Sequence, residues 1–437
     1  MPENPTDLLQ ELAWRGLLFQ STEGAEAALQ RGPVTAYCGF DPSASSLHVG
    51  NLVPLMLLVH LQRGGHRPLA LVGGGTGMIG DPSGKTKERE LNPPARVAEN
   101  TAAIRSQIER FLHFDGQSGA AIVDNGDWLL RIGAIEFMRD VGRHFTISYM
   151  LAKDSVKSRL DTGLSYTEFS YMLLQAYDFL ELHRRMGVTF QVGGSDQWGN
   201  MTAGIELVRR AAGGEAHVLT APLITTATGT KFGKSEAGAV YLDPARTSPY
   251  KFFQFWINTD DRDVGRYLRF FTLLPRDEIE ALDARTATTP EKREAQQVLA
   301  MDVTSRVHGQ AQARVAQEIS ALLFGGGDPA ALSAGALVAL RGEIPFAELV
   351  NNVGLDDAES DAPDVVADIH SLLVASGLST SRGDAKKLLR QGGVYVNGRR
   401  RGENERLVRE SELLPDRHVL LRKGARSYAL VRLREVK

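Results

Sequence analysis

Cysteine is all but missing from this 437-residue chain; Cys38 is the only one. A lone thiol excludes an intrachain disulfide and any metal site built from several cysteines. A long hydrophobic run is missing as well. The longest, over residues 52–61, is broken by Pro54 and His60 and is too short to cross a bilayer. The first ten residues are polar and include Glu3 and Asp7, which does not fit a secretory signal. No internal repeat is visible. These absences predict a cytoplasmic protein with no membrane partner. A large charge of one sign is lacking too, since the formal net charge is −3, but that value hides an asymmetry. Residues 365–437 hold 16 Lys and Arg against 8 Asp and Glu, an excess of +8 that leaves −11 for the rest. An acidic body with a basic tail points to a polyanion, nucleic acid above all, as the partner of the tail.

What is present is ordinary globular material: 43% hydrophobic and 24% charged residues, enough for at least one large core. The length predicts about three domains. Over the first half, strand-like and helix-like runs alternate. Residues 34–40, 68–74, 121–125 and 188–194 read as strands. Residues 52–63, 96–111 and 167–186 read as helices, with another from about 201, and Gly64-Gly65 closes the first of them. Such alternation predicts an α/β fold, a Rossmann-like doubly wound parallel sheet. The expected organisation is a catalytic domain over 1–247, a helical domain over 248–324, a linker region with short ordered pieces over 325–364, and a small α+β domain over 365–437. The linker holds one Arg against eight acidic residues.

Two familiar phosphate motifs fail on inspection. Residues 75–80 fit G-x-G-x-x-G after a strand, but Pro82 and Gly84 follow where a dinucleotide fold needs a helix. The run GDPSGKT (80–86) resembles a phosphate loop, but Ile79 stands where its first glycine is required. A glycine-rich turn with Lys85 and Arg89 nearby still suits an anionic phosphate. Further on, YCGFDPSASSLHVGN (37–51) runs from a strand through a polar loop to a helix start carrying His48, Gly50 and Asn51. The helix dipole favours anions there, and Gly50 admits close backbone approach. GTKFGKS (229–235) places two lysines three apart in a glycine-bearing loop, a pair suited to a leaving pyrophosphate. In YMLLQAYDF (171–179), Tyr171, Gln175 and Asp178 fall on one helix face. Gln191, Asp196 and Gln197 sit at the C-terminal end of a strand, where ligands bind in open α/β sheets.

Taken in this order, these residues resemble the class I aminoacyl-tRNA synthetases. His48–Asn51 is similar to the family's His-Ile-Gly-His signature and Lys231–Ser235 to its Lys-Met-Ser-Lys-Ser signature. The runs YCGFDP, GDPSGK, FSYMLLQAYDF, GGSDQWGN and KFGKS resemble the bacterial tyrosyl-tRNA synthetases in particular. Asn51 stands in place of the second signature His, and Phe232 and Gly233 in place of Met and Ser, which leaves both lysines intact.

The resemblance implies an enzyme that activates L-tyrosine with ATP, accompanied by Mg2+ and with no resident metal site. It then transfers the tyrosine to the terminal ribose of tRNA(Tyr), as a homodimer. It implies that Tyr37 and Asp178 hold the phenol. Asp81, Tyr171 and Gln175 would hold the ammonium group, with Gln191 and Gln197 nearby. Cys38, Gly39, Asp41, Gly50, Asn51, Gly194 and Asp196 would hold ATP around its adenosine. Ser43, His48, Lys85, Arg89, Lys231, Lys234 and Ser235 would surround the phosphates, and all of these but Ser43 would share the catalytic role with Asn51. Lys153, Arg209 and Arg210 resemble positions that touch the acceptor arm of tRNA. The tail resembles a small RNA-binding domain first named from a ribosomal small-subunit protein, with Arg382, Lys386, Lys387 and Arg390 on or flanking one helix side before a hairpin-like turn. A tryptophanyl enzyme would share the signatures, but Tyr37, Asp178 and the tail argue against it. A synthetase-like RNA-binding protein with a dead site would not need His48, Lys231 and Lys234 intact.

Overall fold

The apolar runs around Ala36 and Leu69 settle into the middle of a six-stranded sheet. Its strands are β1 (Gln20–Ser21), β2 (Thr35–Phe40), β3 (Arg67–Val72), β4 (Ala121–Asp124), β5 (Val188–Gly194) and β6 (His217–Ala221), in the order β1-β6-β5-β2-β3-β4. Every pairing from β6 to β4 is parallel, and only β1 runs antiparallel, at the edge. The chain builds outward from β2 through β3 to β4, then crosses to the other side of β2 for β5 and β6. The strand order therefore reverses between β2 and β5. In a doubly wound sheet that reversal opens a crevice at the C-terminal strand ends.

The computed structural model describes residues 8–83, 91–153, 156–157, 163–230, 232–235, 238–356 and 364–435, with only the backbone of Lys234 and Ser235. Two compact units result. One comprises Met1–Ser248 with Phe255–Val307, the other Pro249–Gln254 with His308–Lys437.

In the first unit, the helix Leu52–Arg63 joins β2 to β3 and buries nine residues, from Leu52 to Leu61, which explains its almost unbroken apolar sequence. The long helix Tyr166–Met186 starts where Ser165 accepts from the Glu168 amide and stops at Gly187, in the left-handed region at φ 65°. It lies against the helix Trp198–Ala212. At their contact a Cβ on Gly204 would stand 2.9 Å from the Phe179 ring, so the close packing requires glycine there. The core around this pair includes Tyr37, Leu69, Trp128, Phe179 and Leu207. The helices Asp261–Phe271 and Arg276–Thr288 also belong to this unit.

The second unit contains the helices Gln310–Phe324 and Ala334–Leu340 and a mixed sheet. After the short pair β7 (Lys234–Ser235) and β8 (Gly238–Ala239) of the first unit come β9 (Phe346–Val350), β10 (Val365–Asp368), β11 (Val394–Val396), β12 (Arg399–Arg401), β13 (Leu407–Arg409), β14 (His418–Lys423) and β15 (Ser427–Arg434). The larger sheet has the order β12-β11-β14-β15-β9, and β10 pairs with β13. β9 lies within residues 325–364 and pairs in parallel with β15 over Leu430–Arg434. The helices Ile369–Ala375 and Arg382–Arg390 bury Leu372, Leu373, Ala385 and Leu389 against Val394, Val419 and Val431 of the sheet. Among the described residues no helix is long and apolar enough to cross a membrane.

Candidate active site

Tyr37 of β2 pairs with Gln191 of β5, across the point where the strand order reverses. Both are buried, and neither the Tyr37 hydroxyl nor Gln191 Oε1 has a hydrogen-bond partner among the described residues. A buried polar atom left without a partner costs about 1–3 kcal/mol, a cost that a polar ligand group would relieve. The Tyr37 ring is held edge-on to Phe179, with centroids 5.2 Å apart. Burial, followed by the nearby Asp178 charge, pushes its hydroxyl well above the ordinary phenol range.

Asp178, on the helix Tyr166–Met186, is buried and near enough to Tyr37 for its charge to act on that hydroxyl. Trp128 Nε1 donates to its Oδ1 at 2.7 Å and Asn125 Nδ2 to its Oδ2 at 2.9 Å. Burial pushes the Asp178 carboxyl up to about 8, with those two donors pulling the other way. Asn125 also joins this end to the glycine turn after β3: its Oδ1 accepts from the Gly75 amide at 2.7 Å and its Nδ2 reaches Thr76 Oγ1 at 2.9 Å. Asn125 and Trp128 escape a reading of sequence alone. The available signal is a polar asparagine at the end of an apolar strand, followed by a tryptophan on the next turn.

Thr76 Oγ1 donates to Asp41 Oδ1 at 2.7 Å, and the Tyr171 hydroxyl donates to Asp41 Oδ2 at 2.7 Å. Asp41, expected beside ATP, is thus tied directly to Tyr171. Burial first, then the charges of Asp41 and Asp81, holds the Tyr171 hydroxyl in its protonated form well above the ordinary range. Asp81 takes Gln197 Nε2 at 2.6 Å on one oxygen and the Ser83 amide at 2.9 Å on the other. Asn200 braces this corner through Gln197 Oε1 at 3.2 Å and Ser83 Oγ at 3.4 Å. Gln175, on the same helix as Tyr171 and Asp178, is half-buried. Asp41, Asp81 and Asp178 make this end of the sheet acidic, which suits a cationic group.

The His48 segment is built by local hydrogen bonds. His48 Nδ1 accepts from the Gly50 amide at 3.0 Å, and the His48 amide donates to Asn51 Oδ1 at 3.0 Å. A neutral ring that accepts at Nδ1 carries its proton on Nε2. A Cβ at Gly50 would lie 2.8 Å from His48 Cε1, so the spacing His-x-Gly is what lets the imidazole fold back. Asn51 keeps the capping role with its oxygen. Ser43 and Asp196 are exposed, and Gly39 has open space over its Cα. Cys38 is buried, and burial pushes its thiol up to about 12. At Gly194 a Cβ would meet Asp196 Oδ1 at 2.5 Å, so the strand end is fitted to that carboxylate.

The lysine-bearing loop is joined to this segment. Val49 donates to Val240 O at 3.0 Å, and Val240 donates to Gly233 O at 3.0 Å. Gly233 has φ 82°, and a Cβ there would stand 2.8 Å from Val49 Cγ2, so glycine is required twice over. Phe232 is buried among Phe255, Trp256, Tyr267 and Phe271, stacked on the last at 5.3 Å. The substitution of Met by Phe in the signature therefore keeps an apolar anchor. Lys85, Arg89 and Lys231 lie outside the described residues, as do the side chains of Lys234 and Ser235.

Among the expected RNA contacts, Lys153 donates to Thr202 Oγ1 at 3.2 Å and lies 4.3 Å from the Tyr149 ring centre. Arg209 and Arg210 share Glu206, at 2.8 and 2.5 Å. In the tail, Arg382, Lys386, Lys387 and Arg390 are exposed on the helix Arg382–Arg390. Glu403 pairs with Lys386 at 3.6 Å and Arg390 at 3.1 Å. A cavity of about 360 Å³ lined by Arg390, Arg400 and Arg401 opens between this helix and the β11–β12 hairpin, whose turn places Asn397 and Gly398 at positive φ.

Residues 29–325 match the class I tRNA synthetases (W and Y), and residues 353–431 match the tyrosine–tRNA ligase SYY-like C-terminal domain. The chain is 53% identical to a tyrosine–tRNA ligase of Anaeromyxobacter dehalogenans, over 98% of this chain and 100% of the relative. It is 49% identical to that of Bacillus caldotenax, over 98% and 99%. Among solved structures it is similar to a C-terminally truncated mitochondrial tyrosyl-tRNA synthetase of Aspergillus nidulans, with a TM-score of 0.66 and 30% identity over 72% of this chain and 94% of that one.

Proposed function

The chain belongs to the class I tRNA synthetases (W and Y), among the tyrosine–tRNA ligases, and from that premise we propose how its own residues select and activate the amino acid. The reaction joins L-tyrosine to ATP, giving tyrosyl-adenylate and pyrophosphate, and then passes tyrosine to the terminal ribose of tRNA(Tyr) with release of AMP. The observation that carries the assignment of the site is the buried Tyr37 hydroxyl near Asp178, without a hydrogen-bond partner among the described residues. A substrate phenol satisfies Tyr37 and donates to Asp178. Phenylalanine satisfies neither: it leaves the Tyr37 hydroxyl as it was and brings no donor to Asp178. The ammonium group goes to Asp81, Tyr171 and Gln175, with Gln191 and Gln197 behind them.

The carboxylate of bound tyrosine then attacks the α-phosphorus of ATP, the bond to the bridging oxygen breaks, and pyrophosphate departs with Mg2+ that arrived with the nucleotide. The attacking group is already ionised, so no general base is required; positioning and charge stabilisation carry the step. His48 Nε2–H, Ser43, Lys85, Arg89, Lys231, Lys234 and Ser235 face the phosphates. Gly39, Asp196, Gly194, Gly50 and Asn51 frame the adenosine, with Cys38 and Asp41 behind them. Lys153, Arg209 and Arg210 meet the acceptor arm, while Arg382, Lys386, Lys387 and Arg390 meet tRNA from the tail. Exposed Leu130, Ile135, Met138, Ile147 and Tyr166, all on the β4–β5 connection, support a homodimer in which a second copy covers them. Sedimentation at the mass of one 47.7 kDa chain would contradict that pairing.

The pocket assignment is tested by ATP–pyrophosphate exchange with tyrosine and with phenylalanine on Tyr37→Phe and Asp178→Asn. Each variant should lose about 10- to 100-fold of the preference for tyrosine, the equivalent of one buried hydrogen bond to a polar or charged group. An unchanged preference in both variants would overturn the assignment.

A further inference from the structure

The lysine loop is bracketed by one helix, Asp261–Phe271, on both sides of Lys231. Ahead of the lysine, the turn Thr226–Thr230 is closed by the Thr226 amide on Thr230 O at 2.9 Å. Within it, Thr226 Oγ1 lies 2.8 Å from Thr228 Oγ1 and 2.6 Å from Thr230 Oγ1. Two residues of the helix hold the base of this turn. Asp263 Oδ2 accepts from the Ala227 amide at 2.8 Å. Arg266 donates to Thr225 O and, at 2.8 Å, to Asp263 Oδ1. After the lysine, Phe232 packs on Tyr267 and Phe271 of the same helix at 5.0 and 5.3 Å. The Asp263 side chain is only 6% exposed, so this is a buried carboxylate with both oxygens occupied, one of them by the loop backbone.

Resting on the reading of the loop given above, we infer that Asp263 and Arg266 are positioning residues for adenylate formation, fixing the turn that presents Lys231 to the pyrophosphate. Neither residue belongs to a signature motif. A carboxylate buried at the third position of a helix could equally serve only the helix N-terminus. In that case its loss would lower stability and leave the rate alone. A rigid turn stapled at two backbone groups instead has a kinetic consequence, because displacing a catalytic cation by about 1 Å is enough to cost about 100-fold in rate.

The test is single-turnover formation of tyrosyl-adenylate by the full-length protein at saturating tyrosine and ATP, with tyrosine affinity measured alongside. Asp263→Ala and Arg266→Ala should each slow the step about tenfold or more, with the tyrosine Kd within about twofold of the parent. The double variant should be no slower than the worse single one, because the two residues form one clamp. In a Lys231→Ala background, Asp263→Ala should cost less than about twofold further, since its effect passes through the lysine. An unchanged rate in a variant that still binds tyrosine would overturn the inference, and so would the same fold-loss in the Lys231→Ala background. Should Asp263→Ala fail to bind tyrosine, Arg266→Ala, at a side chain 42% exposed, carries the test alone. Failure of the parent protein to activate tyrosine would strike at the proposed function and not at the clamp.

Discussion

Asp178 couples the choice of amino acid to a proton. Burial raises its carboxyl to about 8 in the free protein, so near pH 7 it is largely protonated. A phenol that donates to the carboxylate favours the ionised form, and binding must then expel the proton. Tyrosine affinity should rise from pH 6 towards 8 and level off above. Calorimetry at pH 7 in two buffers of different ionisation enthalpy should show proton release for the parent and none for Asp178→Asn; equal heats for the parent would contradict the pairing. Stability runs the opposite way with pH. The folded value lies above the unfolded one, so the contribution of Asp178 to stability is complete below the ordinary carboxylate range and is lost as pH rises through about 8. At this scale the sequence shows Tyr171 and Asp178 as a polar stripe on an apolar helix and Gln191 and Gln197 at a strand end, whereas Tyr37 and Asp81 enter only through the family resemblance. Sequence reading does not reach Asn125 and Trp128, whose bonds to Asp178 span 53 and 50 residues. The pairing of Asp41 with Tyr171 spans 130 and is equally hidden.

At the scale of elements, the lysine loop and the His48 segment act as one piece, tied through Val49, Val240 and Gly233. Lys234→Ala should slow single-turnover activation about 100-fold or more, about 2.7 kcal/mol of barrier, with little change in tyrosine affinity. Gly233→Ala should act in the same direction, since alanine meets both a positive φ and the Val49 side chain there. Equal losses in rate and in tyrosine binding would point instead to a general loss of structure. The helix 52–63 is legible to the residue, because a double glycine ends its apolar run. The helix expected from about 201 starts at Trp198, since the turn Ser195–Gln197 feeds straight into it. The edge strand β1 has only two residues and no pattern to read. β6 is five buried residues between loops, a run too short to declare itself by period.

For the whole molecule, the charge asymmetry, with −11 ahead of the tail and +8 within it, predicts that chemistry and tRNA capture can be separated. The second unit decides where to cut. A chain ending near 364 would keep β9 without β15 and would uncover Leu337 and Leu340, which pack with Leu420 and Leu430. It should aggregate. A chain ending after Val307, where the first unit ends, should stay soluble and keep tyrosine-dependent exchange. It should lose charging at low tRNA, since removing cations removes phosphate contacts and their salt dependence. Full charging by that chain would mean the tail is not the principal tRNA contact. The central claim concerns the amino acid itself, and ATP–pyrophosphate exchange by the full-length protein with each of the twenty amino acids tests it most directly. Tyrosine should drive exchange far above every other amino acid, phenylalanine and tryptophan included; exchange driven by tryptophan, or none with tyrosine, would contradict the account.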